Sequence, residues 1–238
     1  MTAEQWARTV RHQLGLGRLL PLGGPRDGAW ISEEAALAVL RATAEDLRGV
    51  RLGQVRVGLA RPQDTHEPAV PAPPSALPPG PLRLAAEFEA TPAQPLPVTA
   101  EGLRTALAGA AAGLLGLELG EVDLRVTGLL DEDAARSPVR APEPPRPVEA
   151  GPGDATLAAV AALAVPGVVR LTGLLGRPVH IEDRDTGDGS LPRRHVRVEL
   201  AVGADRRALD VAREVRAAVG AVLADRPTVA VLVTGVVN

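Results

Sequence analysis

The chain says nearly the same thing twice. Glu121-Val-Asp-Leu-Arg-Val-Thr-Gly-Leu-Leu130 recurs further on as Thr228-Val-Ala-Val-Leu-Val-Thr-Gly-Val-Val237. Upstream of each stands an alternating segment, Leu82-Arg-Leu-Ala and Val196-Arg-Val-Glu, then a helix-forming stretch with a matched pair, Leu103-Arg104 and Val215-Arg216. Further up, Leu47-Arg-Gly-Val50 matches Val165-Pro-Gly-Val168. Four anchors in one order point to a tandem duplication of a unit of roughly a hundred residues. A chain of 238 residues is long enough for two such units.

Between the anchors the chain divides by period and punctuation. Residues 1–29 form a basic preface in which Trp6, Val10 and Leu14 recur at four-residue spacing beside Arg8 and Arg11, the pattern of a short amphipathic helix. The first repeat spans 30–130. Ser32 is placed to cap a helix with Glu33 and Glu34 in its first turn, and Ala36, Leu40, Ala44 and Leu47 form its apolar side. A strand is expected over 52–59, then a Pro-rich exposed loop over 61–81 and a strand over 82–89. The helix over 99–115 should bury Leu103, Leu107, Ala110 and Leu114, with a strand over 122–130 to follow.

Residues 131–153 are acidic and then Pro-rich, the composition of a solvated linker. The second repeat, 154–238, opens with Asp154 as expected helix cap. It continues with strand material at 168–172 and 178–182, a polar loop over 183–192, a strand over 195–202, a helix burying Val211, Val215, Ala218 and Val222, and a closing strand. Each unit reads roughly as β-α-β-β-α-β. The predicted class is α+β, two tandem two-layer α/β sandwiches.

The differences between the copies bear on partners. In the first, Val122, Leu124 and Val126 alternate with Asp123 and Arg125, so one sheet face should be wet. In the second those polar positions become Ala230 and Leu232, which leaves the strand apolar on both faces. The opening helix of the second repeat carries no charge from Ala155 to Val169, and a helix apolar all round is expected to be covered. Leu157, Val160, Ala230 and Leu232 are therefore the candidate interface residues. Their cover could be the first repeat, an identical subunit or another protein.

Chemistry-bearing patterns are sparse. The absence of Cys excludes disulfides, thiolate catalysis and sulfur-ligated zinc, and fits a reducing cytoplasm. A net charge of −3 and an aromatic content of 1% argue against nucleic-acid binding, which needs clustered positive charge and stacking platforms. His66, His180 and His195 read as solvated positions rather than ligands. The loop Asp183-Arg-Asp-Thr-Gly-Asp-Gly-Ser190 has Asp188 where a calcium loop requires Gly, and Arg194 where it requires a bidentate Glu. Neither a phosphate-binding Gly loop nor a Gly-x-Ser-x-Gly elbow is present. No catalytic residue, metal site or cofactor is expected. The preface helix (Trp6, Arg8, Val10, Arg11, Leu14) is expected either to pack on the first repeat or to lie weakly on an anionic membrane.

The second repeat resembles the alkaline shock protein family of bacterial envelope-stress and general-stress proteins. Carrying the resemblance are Val165-Pro-Gly-Val168, the strand Val196-Arg-Val-Glu-Leu-Ala-Val202 followed by Gly203, the helix Val211-Ala-Arg-Glu-Val-Arg-Ala-Ala-Val219, and Val229-Ala-Val-Leu-Val-Thr-Gly235. It spans residues 154–238 and, through the repetition, 30–130 more faintly. The resemblance implies a non-enzymatic scaffold that self-associates or binds a membrane-anchored partner, in the cytoplasm or at the inner face of the membrane. A small-ligand or regulatory binding module using the inter-repeat interface is the alternative expectation. The chain departs from the family in having two copies, and in an Arg- and Pro-rich surface.

Overall fold

The computed structural model describes residues 17–131, 148–184 and 193–237. Over these residues the fold is α+β, with helices and nine strands arranged in two sheets. The strands are β1 (Leu19–Leu22), β2 (Ala29–Ser32), β3 (Val50–Leu59), β4 (Leu82–Ala90), β5 (Leu119–Leu129), β6 (Val168–Leu171), β7 (Val179–Arg184), β8 (Arg193–Gly203) and β9 (Thr228–Val237). The long helices are α1 (Glu33–Glu45), α2 (Leu96–Ala110), α3 (Asp154–Leu163) and α4 (Ala208–Val222).

The first unit runs α-β-β-α-β and the second α-β-β-β-α-β, with two short strands, β6 and β7, in the place of β3, and both pair their strands in the same sense. In the first, β3 lies antiparallel and β5 parallel to β4. In the second, β6 and β7 share one edge of β8 antiparallel, and β9 lies parallel on the other. The likeness extends to single bonds. The last strand of each bulges at a Thr, between the pairs Phe88↔Val126 and Glu89↔Gly128 in one sheet and Leu200↔Val233 and Ala201↔Gly235 in the other. The Thr hydroxyl donates to the same carbonyl in both, Thr127 to Phe88 at 3.3 Å and Thr234 to Leu200 at 3.2 Å. Gly49 and Gly167 both take positive φ, 72° and 90°. Their carbonyls accept from Thr91 and Gly203 at 2.9 and 2.8 Å. A side chain at either position would be strained by that φ and would press on Thr91 or Val211.

Strand register also corrects the sequence alignment. Leu84 pairs with Val122 as Val196 pairs with Val229, so Val196 corresponds to Leu84 and not to Leu82. Alternation has a period of two, and a slip of two residues leaves it unchanged.

The expected first strand does not complete its own unit. β2 forms an antiparallel hairpin with β1 and pairs in parallel with β9, placing Ala29, Trp30 and Ile31 beside Val231, Leu232 and Val233. The second sheet thus holds β1-β2-β9-β8-β6 with β7 also on β8, while the first keeps only β3-β4-β5. Residues 19–32, read as preface and repeat start, belong by hydrogen bonding to the second sheet. One continuous apolar core joins the units, from Leu40, Phe88 and Leu107 to Val198, Val215 and Val231.

Ser32 caps α1, accepting from the Ala35 amide at 3.2 Å. Asp154 does not cap α3; Gly153 precedes the helix, and Asp154 instead meets Arg194 at 2.7 Å. In α2 the expected Leu114 is exposed and Leu115 buried, because a π-turn over Ala111–Leu115 inserts one residue into the helical period. In α4 the inward position is Val219, and Val222 is exposed at the helix end.

Candidate interaction faces

The apolar outer face of β9 is covered from within the chain. Ala230 and Leu232 are fully buried in a small cluster with Leu19, Trp30 and Val70, flanked by Ala76 and Leu175. β9 can be apolar on both sides because α4 packs on one and this cluster on the other. The cover is supplied by the β1-β2 hairpin and the Pro-rich segment of the same chain.

Val70 and Ala76 come from the Pro-rich segment, which is largely exposed over 61–69 as composition predicts but docks on the fold from Val70 onward. Val70, Pro73 and Pro79 are buried. The segment is fastened by the Ala69 amide to Pro25 (2.8 Å), the Leu77 amide to Leu19 (2.9 Å) and the His66 amide to Pro79 (2.8 Å). Trp30 Nε1 adds a bond to the Leu77 carbonyl at 3.3 Å. Proline lacks an N–H and cannot extend a sheet ladder, but its fixed φ suits a strap held at a few amides.

The hairpin turn is tied to α4 by charge. Arg213 meets both carboxylate oxygens of Asp27 at 2.7 and 3.1 Å. Burial works against ionisation of Asp27, but the Arg213 and Gly24 hydrogen bonds and the charges of Arg213 and Arg216 outweigh it and hold the carboxyl below its ordinary range. Arg216 donates to Val229 O at 2.8 Å and also reaches the carbonyls of Arg26 and Asp27. Its counterpart Arg104 donates to Val122 O at 3.3 Å, the same carbonyl of its own sheet. The matched Leu-Arg and Val-Arg pairs are thus a shared structural device, which the second unit extends to hold the hairpin.

β8 carries a polar row on the same outer side, and here one expectation fails. His195, read as solvated, is buried at 5% exposure with Nδ1 2.9 Å from Thr228 Oγ1, because β8 is an interior strand flanked by β7 and β9. Burial, reinforced by the Arg184 charge, pushes its imidazole down to about 4. Glu199 is fully buried, pairs with Arg197 at 3.2 Å and accepts from the Leu175 amide at 2.9 Å. Burial pushes its carboxyl up, and the Leu175 bond and Arg197 offset this only in part. Glu199 is thus satisfied by Arg197 and the 173–178 loop, and His195 by Thr228, a structural arrangement that sequence alternation did not reveal.

Two surfaces remain open. The side of α3 that bears Leu157, Val160 and Leu163 faces out, at 49%, 62% and 48% exposure, and Val169 on β6 is exposed as well. The helix without charge is therefore covered on one side only, through Ala158, Ala159 and Ala162. The other open surface is the outer face of the first sheet, where Arg83 pairs with Asp123, and Arg51 with Glu89 at 3.0 Å. A groove of about 370 Å³ crosses it, lined by Gln54, Arg56, Glu87, Asp123, Leu124 and Arg125.

The remaining candidates, Trp6, Arg8, Val10, Arg11 and Leu14, lie outside the described residues. Among the described residues no helix is long and apolar enough to cross a membrane, and no group of three or more His, Cys, Asp or Glu could hold a metal ion. No family model, curated protein or solved structure matches the chain.

Proposed function

We propose that this protein is a non-enzymatic scaffold or interaction protein of the bacterial envelope-stress or general-stress type. It associates with itself or with a membrane-anchored partner protein, in the cytoplasm or at the inner face of the membrane. The observation that carries this reading is the outward apolar side of α3, where Leu157, Val160 and Leu163 stand about half exposed at adjoining helix positions. A contiguous apolar surface of this kind on a folded protein marks an interaction site more often than scattered single residues do. The shared strand order, bulge and Arg and Thr hydrogen bonds of the two units support reading them as diverged tandem copies. The resemblance of residues 154–238 to alkaline shock proteins supports the same role.

The full chain with Leu157→Glu and Val160→Glu tests it. Both positions are exposed, so stability should change by less than about 1 kcal/mol. Binding of a hydrophobic dye and self-association through the α3 face should both fall. Unchanged dye binding and unchanged sedimentation would count against the α3 face as the contact.

A further inference from the structure

β5 ends the first sheet, and its outer side carries no strand among the described residues. Its counterpart β9 receives β2 at that position, where the Val231 amide donates to Gly28 O at 3.0 Å. Val231 and Leu124 hold the same register, opposite Val198 and Ala86. The N–H and C=O of Leu124, and of Val122 and Val126 two residues either side, therefore point away from β4. Arg104 already reaches the Val122 carbonyl from that side, and a carbonyl accepts two bonds.

We propose that this edge pairs with β5 of a second copy of the chain, antiparallel and two-fold symmetric about Leu124, joining two three-stranded sheets into one of six. The proposal rests on the self-association reading above and gives it a second contact, separate from α3. Four observations choose this occupant. The strand Leu119-Gly-Glu-Val-Asp-Leu-Arg-Val-Thr-Gly-Leu129 is nearly the same read backwards, except that Asp123 and Arg125 exchange sign and Glu121 stands against Thr127. Pairing about Leu124 sets Val122 against the second copy's Val126, and Asp123 against its Arg125, twice over. Opposite charges directly across strands stabilise, and like charges oppose.

Regular pairing with β4 is also interrupted at both ends, at Gly120 and at Thr127, leaving a straight central stretch with the two-fold position inside it. Val126 is 38% and Leu129 66% exposed, apolar edge surface that the pairing would cover. Finally, the other edge of this sheet cannot serve as well. β3 carries Arg51 and Arg56 and no acid, so pairing with itself brings only like charges together.

Sedimentation of the full chain over a concentration series should show a reversible dimer. Asp123→Arg or Arg125→Asp alone should weaken it about tenfold by setting like charges across the axis. The combined exchange Asp123→Arg/Arg125→Asp restores opposite signs, and the dimer should return, which separates lost pairing from lost folding. The chain has no Cys. Leu124→Cys should therefore oxidise to a covalent dimer, whereas Val126→Cys, about 14 Å from its own copy in this register, should not. A monomer at every concentration would overturn the proposal. So would a dimer indifferent to the single charge changes, or equal cross-linking at 124 and 126. The Leu157→Glu/Val160→Glu chain should keep the β5 dimer; loss of all association there, with the β5 charge variants unaffected, would leave the scaffold reading standing and overturn the β5 edge.

Discussion

The last strands of the two units hold the same place in the same topology and meet opposite surroundings. β9 is an interior strand with β2 at its side, a strap over one face and α4 on the other. β5 is an edge strand with an open, charged face. Asp123 and Arg125 stand where β9 has Ala230 and Leu232, and the side chains follow the environment: ion pairs where water reaches, Ala and Leu where it does not. The lesson is that one backbone unit can be finished in two ways. The first unit lends its leading hairpin and its Pro-rich strap to the second, and so leaves its own sheet uncovered.

The comparison is most easily broken at the borrowed cover. Trp30→Ala removes the largest buried side chain of the strap cluster and should cost about 4 kcal/mol in chemical denaturation, with dye binding at the exposed Ala230 and Leu232 face. An effect below about 1 kcal/mol would mean that the hairpin is not what seals β9.

Next comes the polar row that only the second unit buries. His195 titrates near 4 folded against 6.5 in an unperturbed chain. The unfolded chain therefore takes up a proton first as pH falls, and stability should decline from about pH 6.5 to about pH 4 by about 3 kcal/mol from this group. His195→Gln should flatten that slope in a pH series of denaturation curves. Glu199 works in the opposite direction, since its raised carboxyl favours the folded state at low pH and loses that advantage as pH rises through its folded value.

The paired arginines sharpen the comparison. Arg216 is partly buried and holds three carbonyls, including those of Arg26 and Asp27, whereas Arg104 holds one. Arg216→Met should cost about 2 kcal/mol and Arg104→Met about 0.5 kcal/mol. Equal costs would show that the hairpin contacts add nothing. Smallest of all, Asp123→Asn on the open sheet should change monomer stability by less than about 0.5 kcal/mol, as an exposed ion pair is screened.

Much of this frame was legible in the sequence, and the failures have physical causes. Ser32 was readable as a cap because its hydroxyl and the two following Glu form a local signal. The inward faces of β4 and α1 were readable from period alone. The Pro-rich segment misled because its composition reports only that it cannot join a ladder; whether it docks depends on Val70 finding Trp30 across the fold. In α3, all-round apolarity suggested full cover, yet the helix docks through its alanine side, where small side chains allow close approach. His195 looked like a surface residue because alternation cannot tell an edge strand from an interior one, and β8 lies between β7 and β9.

The chain by itself determined the local and near-neighbour facts: the alternation of helices and strands in an α+β fold, the Ser32 cap, and the exchange of Asp123 and Arg125 for Ala230 and Leu232. These follow from periodicity and side-chain chemistry over a few residues. Only the tertiary structure decided that β2 leaves its own unit for β9, that the Pro-rich segment from Val70 onward straps the second sheet, and that α3 and β5 face outward. Those outcomes rest on contacts between segments far apart in the chain, where the choice among apolar surfaces is set by which fit together.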